Sequence, residues 1–332
     1  MKTVFAPHLN RNVKFGRKRP IATVPHLKLG NYLRASLPSA PAKYDNMTNP
    51  AVQPIISDVM LNDELGDCGI AGYYHIKGIE TANAGKPFHA TAAQLKALYH
   101  SVGGYVDGDP STDNGIILTD LLNFVMHNAD AGGSKIAGYA AVDATSPSQV
   151  MSAIELFGGS LYLGLELPDT YTGPFPSGNG FVWDTGTPDP EQGHCIISGA
   201  YDSTGAHAGI DVITWGLRGR LTFAALAELC VAHNGGECWV ILTHDQIAVG
   251  QSKALNGFAW NDLVYDLNSI GGNAVPPPPP VQPPPPSSGG VSLAQAEAVV
   301  RKAFTGPPLF MSSSQATAKA LKALESLPGW PK

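Results

Sequence analysis

Residues 62–80 read NDELGDCGIAGYYHIKGIE: a Gly66-Asp67 turn, then Cys68, then an apolar run with helical spacing. The pattern places Cys68 at a helix N-terminus, where unpaired N–H groups and the macrodipole favour thiolate over thiol. A sulfur so placed suits a nucleophile. The competing reading is a small buried cysteine that opens a core helix.

Working outward, the chain has 332 residues, 43% of them hydrophobic, enough for a core without disulfide staples and, by length, for about two domains. Its 37 Gly and 28 Pro predict many loops and extended connections. No run approaches the ~18 uninterrupted apolar residues of a membrane span, and the start MKTVFAPHLNRNVKFGRKRP lacks the apolar stretch of a secretory signal. The expected location is the cytoplasm, or an assembly formed from it. The four cysteines, Cys68, Cys195, Cys230 and Cys238, show neither zinc spacing nor a disulfide framework. Cys230 and Cys238 could pair across a helix-to-strand turn or stand as two reduced core thiols. Residues 1–43 hold nine Lys or Arg and no acid, against 12 basic and 27 acidic groups in the remainder. A basic arm on an acidic body folds back on it, binds a neighbouring subunit or binds nucleic acid; the arm carries no nucleic-acid motif.

Prolines, among them Pro20, Pro25, Pro38, Pro41 and Pro50, punctuate residues 1–50, which read as an extended arm that gains order by docking. Helices are predicted over 68–82, 91–101 and 116–127, the last with Leu118, Leu121, Leu122 and Val125 on one face. A helix after Ser146 runs to Gly158-Gly159 and delivers the chain into a strand over 160–167. Strands at 194–201, 209–215 and 237–243, with a helix at 222–233, complete a strand-rich C-terminal half. A helical half followed by a strand-rich half defines an α+β domain over 51–270. Residues 271–290, GGNAVPPPPPVQPPPPSSGG, read as a polyproline spacer, and 291–332 as a small helical hairpin with capping boxes at Ser292/Gln295 and Ser312/Gln315. A hairpin that short needs a partner surface, so residues 1–50 and 291–332 are the candidate attachments to a protein assembly.

A second unusual site is Gly193-His194-Cys195, which follows an exposed loop and begins an aliphatic strand. A histidine at the mouth of a strand can serve as general base to a thiol. With the cysteine first and the histidine 126 positions later, residues 52–248 resemble the papain-like cysteine peptidase superfamily, with its two-lobed fold of a helical and an antiparallel β lobe. Asn62 stands six positions before Cys68, where the papain family has the glutamine whose amide helps form the oxyanion hole. The string Asp-Cys-Gly-Ile-Ala is similar to the nucleophile motif of bacteriocin-processing and related bacterial peptidases, and Gly69 replaces the aromatic residue usual after the nucleophile. TAAQLKALY, DNGIILTDLLNFV and SQVMSAIELFGGSLYLGLEL resemble, in order, the helix after the nucleophile helix, the segment whose backbone binds extended peptide, and the connection leading to the histidine. The resemblance implies substrate contacts at Asn114, Gly115 and Trp215, a peptide or protein substrate, and no cofactor.

VITWG at 212–216 resembles the family's Asn-Ser-Trp-Gly, but Ile213 occupies the place of the asparagine that orients the imidazole. Thr214 is the first alternative, Asp211 the second, and a dyad with no third residue stands beside both. The expected mechanism has His194 deprotonating Cys68, with Asn62 and the Cys68 N–H stabilising the oxyanion. The rival expectation is a non-catalytic binding or structural component of a virion or secreted complex that reuses the fold. It rests on the appendages and the missing asparagine. An inhibitory pro-segment is a third reading of the arm, although the arm lacks the helical character of papain-type pro-regions. His75, His89, His100, His127, His207, His233 and His244 show no metal spacing, and Asp107, Asp109 and Asp113 read as a solvated turn, the glycine and glutamate of a calcium loop being absent.

Overall fold

The computed structural model describes residues 2–21, 26–159, 161–252, 257–272 and Lys322. The chain divides into two compact units, Met1–Pro276 and Pro277–Lys332. The first 50 residues therefore belong to the same unit as the domain they precede. The polyproline run and the helical hairpin lie outside the described residues.

The arm contributes β1 (Thr3–Ala6), β2 (Arg11–Lys14), β3 (Arg17–Lys18), β4 (Leu27–Lys28) and β5 (Lys43–Asp45). The helical part follows with α1 (Gln53–Ile56), α2 (Cys68–Asn83), α3 (Ala92–Gly103), β6 (Ile116–Ile117) and α4 (Leu118–His127). Next come β7 (Gly138–Ala141), α5 (Pro147–Leu156), β8 (Leu161–Glu166), α6 (Asp169–Thr172), β9 (Val182–Trp183), β10 (Gly193–Asp202), β11 (Gly209–Thr214) and β12 (Leu217–Thr222). The unit ends with α7 (Phe223–Leu229), β13 (Glu237–Leu242), α8 (His244–Ser252) and α9 (Trp260–Ser269). The α+β expectation holds.

Among the described residues one mixed sheet of nine strands runs β4-β7-β13-β8-β10-β11-β12-β9, with β5 also paired to β10. Every residue of β8 and β13 is buried, which is why both read as near-continuous apolar runs rather than alternating ones. On one face Tyr162, Cys195, Ile197, Ile213 and Ile241 pack with α1–α4. On the other, Leu161, Leu163, Ile196, Ile210, Val212 and Val240 pack with α5, α7 and α9. Local signals set the helix ends: Thr91 and Gln94 form a reciprocal capping box at α3, Gly104 closes that helix at φ +72°, and Ser146 caps α5.

The arm departs from expectation in having strands of its own, each completed by pairing. β1 and β2 form an antiparallel hairpin, β3 runs parallel to β6, β4 parallel to β7, and β5 antiparallel to the end of β10. Segments of two to four residues carry no readable period, so their conformation comes from the partner strand. Basic arm residues meet acids of the body: Lys2 with Asp169 and Asp189, Arg11 with Asp63, Lys14 with Asp113, Arg17 with Glu237 and Arg19 with Glu166. The charge asymmetry of the sequence is thus used within the chain. No helix among the described residues is long and apolar enough to cross a membrane.

Candidate active site

Cys68 is the first residue of α2, and α2 packs against β8 and β10 through Gly72, where an added Cβ would lie 3.1 Å from Cys195 Sγ, Ile197 and Tyr162. The backbone N–H groups of Cys195 and Gly16 face the Cys68 sulfur, which is 1% exposed. Burial pushes the thiol up to about 12, overcoming those two N–H groups and the more distant Arg17. The rise disfavours the thiolate by ~4 kcal/mol, whereas a helix terminus contributes ~0.3–1 kcal/mol. The expected thiolate is therefore corrected to a neutral thiol in this conformation, because desolvation outweighs the helix dipole.

His194, the second residue of β10, is equally buried. Its Nε2 shares a 2.8 Å hydrogen bond with Thr214 Oγ1, and its ring stacks on Trp215 with centroids 3.8 Å apart and planes 13° apart. Trp215 and Gly216 are the two-residue turn between β11 and β12, at φ +44° and +74°. Such a primed turn suits the twist of a hairpin, but a bulky residue at positive φ is an outlier, here held where its indole covers His194. Burial alone drives the imidazole down to about 3, so it is neutral. Its Nδ1 is buried without a hydrogen-bond partner, and no hydrogen bond joins it to Cys68. Asp211 is elsewhere engaged: Arg218 and Arg220 hold its carboxylate, at 2.6 and 2.5 Å. Ile213 packs on the α2 side of the sheet.

Asn62 is buried just after Met60 and Leu61, both at positive φ, and its amide donates 3.2 Å to the Leu65 carbonyl. Asp67, fully buried, has no hydrogen-bond partner for either oxygen; burial pushes its carboxyl well above the usual range, with the nearby Asn62 amide offsetting this only in part.

Asp113 corrects the expectation of a solvated turn. It is buried, and its carboxylate accepts from the Gly66 N–H at 2.9 Å, the Tyr99 hydroxyl at 2.8 Å and Lys14 Nζ at 2.7 Å. Tyr99 in turn accepts from the Gly115 N–H at 2.7 Å. One carboxylate thus ties the loop before Cys68 to the Gly115 segment. Asp107 and Asp109 do behave as surface residues, paired with Lys96 and Ser111. Asn114 is exposed and donates to the Ser111 carbonyl. Among the described residues no cluster of three His, Cys, Asp or Glu is placed to hold a metal ion.

Between these loops lies the arm. Gly16 accepts from the Ile116 N–H at 2.8 Å, and Arg17 and Lys18 pair with Ile116 and Ile117. A Cβ on Gly16 would overlap the Gly66 carbonyl, and one on Gly115, at φ +71°, would overlap the Gly16 carbonyl. Phe15 packs at close to right angles to both His194 and Trp215, with ring centroids 6.1 and 5.8 Å apart. His8 reaches the Trp215 carbonyl and stacks on Phe175. Consecutive arm residues thus cover the imidazole and touch the thiol. Sequence reasoning missed this seat, and also the buried acids Glu237 and Glu166; the available signal was an acid opening or closing an otherwise apolar strand.

No family model and no curated protein matches the chain. Among solved structures, it is similar to xylellain, a cysteine protease from Xylella fastidiosa, at 14% identity and TM-score 0.49 over 70% of this chain and 97% of the other. It is also similar to procathepsin L 3 of Tenebrio molitor, at 13% identity and TM-score 0.44 over 65% and 76%, and to procathepsin B S9 of Trypanosoma congolense, at 11% and 0.44 over 69% and 87%.

Proposed function

We propose that the protein is a papain-like thiol hydrolase acting on peptide or isopeptide bonds through Cys68 and His194, in a conformation closed by its own arm. The observation that carries this reading is the imidazole: one nitrogen is held by Thr214 and shielded by Trp215, while Nδ1 is left without a partner. A base needs that arrangement, with Nε2–H donating to Thr214 and the lone pair on Nδ1.

With the arm displaced, water and substrate enter and both groups regain solvation. His194 Nδ1 takes the Cys68 proton, and the sulfur attacks the carbonyl carbon. The oxyanion meets the Cys68 N–H and the Asn62 amide, which gives up its 3.2 Å bond to Leu65. Collapse breaks the C–N bond, with the amine taking the proton from His194; water then hydrolyses the thioester by the same base. Asp113 keeps the Gly66 and Gly115 loops in register on the opposite wall.

The second reading, a binding component without catalysis, is favoured by the neutral thiol and the filled cleft. Iodoacetamide separates the two. The intact chain should alkylate at Cys68 more slowly than a free thiol near neutral pH. A chain loosened by Phe15→Ala should alkylate faster than a free thiol, with a rate that depends on His194, and should cleave unfolded protein substrates. If the loosened chain reacts no faster than a free thiol and cleaves nothing, the hydrolase reading is dropped and the binding reading stands.

A further inference from the structure

The residue next to Gly16 enters a pocket built by the body of the protein. The Arg17 side chain is fully buried, and its Nε and Nη2 donate to a single oxygen of Glu237, at 2.9 and 2.7 Å. The other Glu237 oxygen accepts from Trp239 Nε1 at 2.7 Å, so the strand it belongs to holds one side of the carboxylate independently of the arm. Gly164 of β8 forms the wall: an added Cβ would lie 2.5 Å from Arg17 Nε and 2.7 Å from Glu237 Oε1. At the mouth, a Cβ on Gly193 would overlap the Arg17 carbonyl. Two residues along, Arg19 grips Glu166, whose side chain is 1% exposed.

Resting on the hydrolase reading, we infer that the Glu237 pocket is the specificity determinant of the cleft and takes the arginine of an extended basic peptide in which glycine lies at the Cys68 sulfur. The arm occupies the place such a peptide takes. Glu237 and Glu166 are buried carboxylates, and an occupant that brings no cation leaves them uncompensated. A guanidinium meets the need better than an ammonium, since Nε and Nη2 both reach the one free Glu237 oxygen while the flat head fits beside Gly164. A side chain at the place of Gly16 would run into the Gly66 carbonyl, which restricts the position at the sulfur to glycine.

The test uses the full chain with Arg17→Gln, which removes the resident guanidinium while keeping an uncharged, hydrogen-bonding side chain. Protection of Cys68 from iodoacetamide is read against the added peptide acetyl-Phe-Gly-Arg-Lys-amide and its citrulline counterpart, which needs no catalysis. The arginine peptide should protect at a concentration ~30-fold lower than the citrulline peptide, and adding Glu237→Gln should erase the difference. Equal protection by the two peptides, or a difference that survives Glu237→Gln, overturns the pocket. Protection with that selectivity but no cleavage of either peptide removes the hydrolase reading and leaves the pocket standing. If Arg17→Gln does not fold, the wild-type chain is read by hydrogen exchange at residues 15–18. Exchange there should quicken with the arginine peptide and not with the citrulline one; the same response to both overturns the inference.

Discussion

Thr214 and Ile213 show how much one position of strand alternation decides. Aligning on Trp215-Gly216 puts Ile213 in the orienting place, yet Ile213 points into the core and Thr214 carries the hydrogen bond to His194. Thr214→Ala leaves a buried imidazole nitrogen without its partner, which should cost ~1–3 kcal/mol in a denaturant melt and lower the cleavage rate of the arm-loosened chain at least ~10-fold. Thr214→Ser, which keeps the hydroxyl, should recover most of both. The buried histidines also set an acid limit. His194 and His75 have folded-state values of about 3 and about 4, below the ordinary 6.5, so their contribution is fully present above pH 6.5 and is lost as pH falls toward those values. Stability measured from pH 7 to 4 should fall with up to about two protons taken up on unfolding, and His75→Gln should remove about one. Cys68 has the opposite sign: its value of about 12 lies above the ordinary 9, so its contribution is present below pH 9 and is lost on the way to 12.

The helix α2 works as a rigid post because a glycine lets it sit close to the sheet. Gly72→Ala would push a methyl to 3.1 Å from Cys195 Sγ, Ile197 and Tyr162, none of which is an exposed flexible end. A loss of ~1–3 kcal/mol is expected, with Cys68 alkylation changed in the arm-loosened chain because the thiol moves with the helix. The turn between β11 and β12 positions Trp215, and Gly216 there meets the Ser57 carbonyl at 2.6 Å from an added Cβ. Asp113→Ala should act at the opposite wall. It strips the Gly66 N–H and the Tyr99 hydroxyl of their acceptor and should cost at least ~2 kcal/mol while raising proteolytic nicking in the loops around residues 62–67 and 105–115.

Across the unit, the arm and the body are joined by ion pairs of two kinds. Arg11 is half exposed, and its pair with Asp63 is of the screened kind; the Arg17–Glu237 pair is buried on both sides. Raising salt to ~1 M should therefore loosen residues 2–14 in hydrogen exchange while residues 15–18 stay protected. Arg17→Ala, by leaving Glu237 buried and unpaired, should cost ~3–5 kcal/mol in unfolding, far more than Arg11→Ala at ~0–1 kcal/mol.

Much of this was legible in residue order. Gly66-Asp67-Cys68 before an apolar run is enough to start α2 at the cysteine, since turn residues and helical spacing are local properties; Ser146 and Thr91 mark helix starts for the same reason. The basic arm facing an acidic body was readable as charge, because charge needs only composition. Other facts arose from packing. β3 and β4, two residues each, exist only because β6 and β7 complete them. Asp113 looks like a turn acid until Tyr99, Gly66 and Lys14 converge on it. The state of Cys68 is of the same kind: helix position is a local property and favours the thiolate, but desolvation depends on everything around the sulfur, including an arm more than 50 residues earlier in the chain, and it is the larger effect.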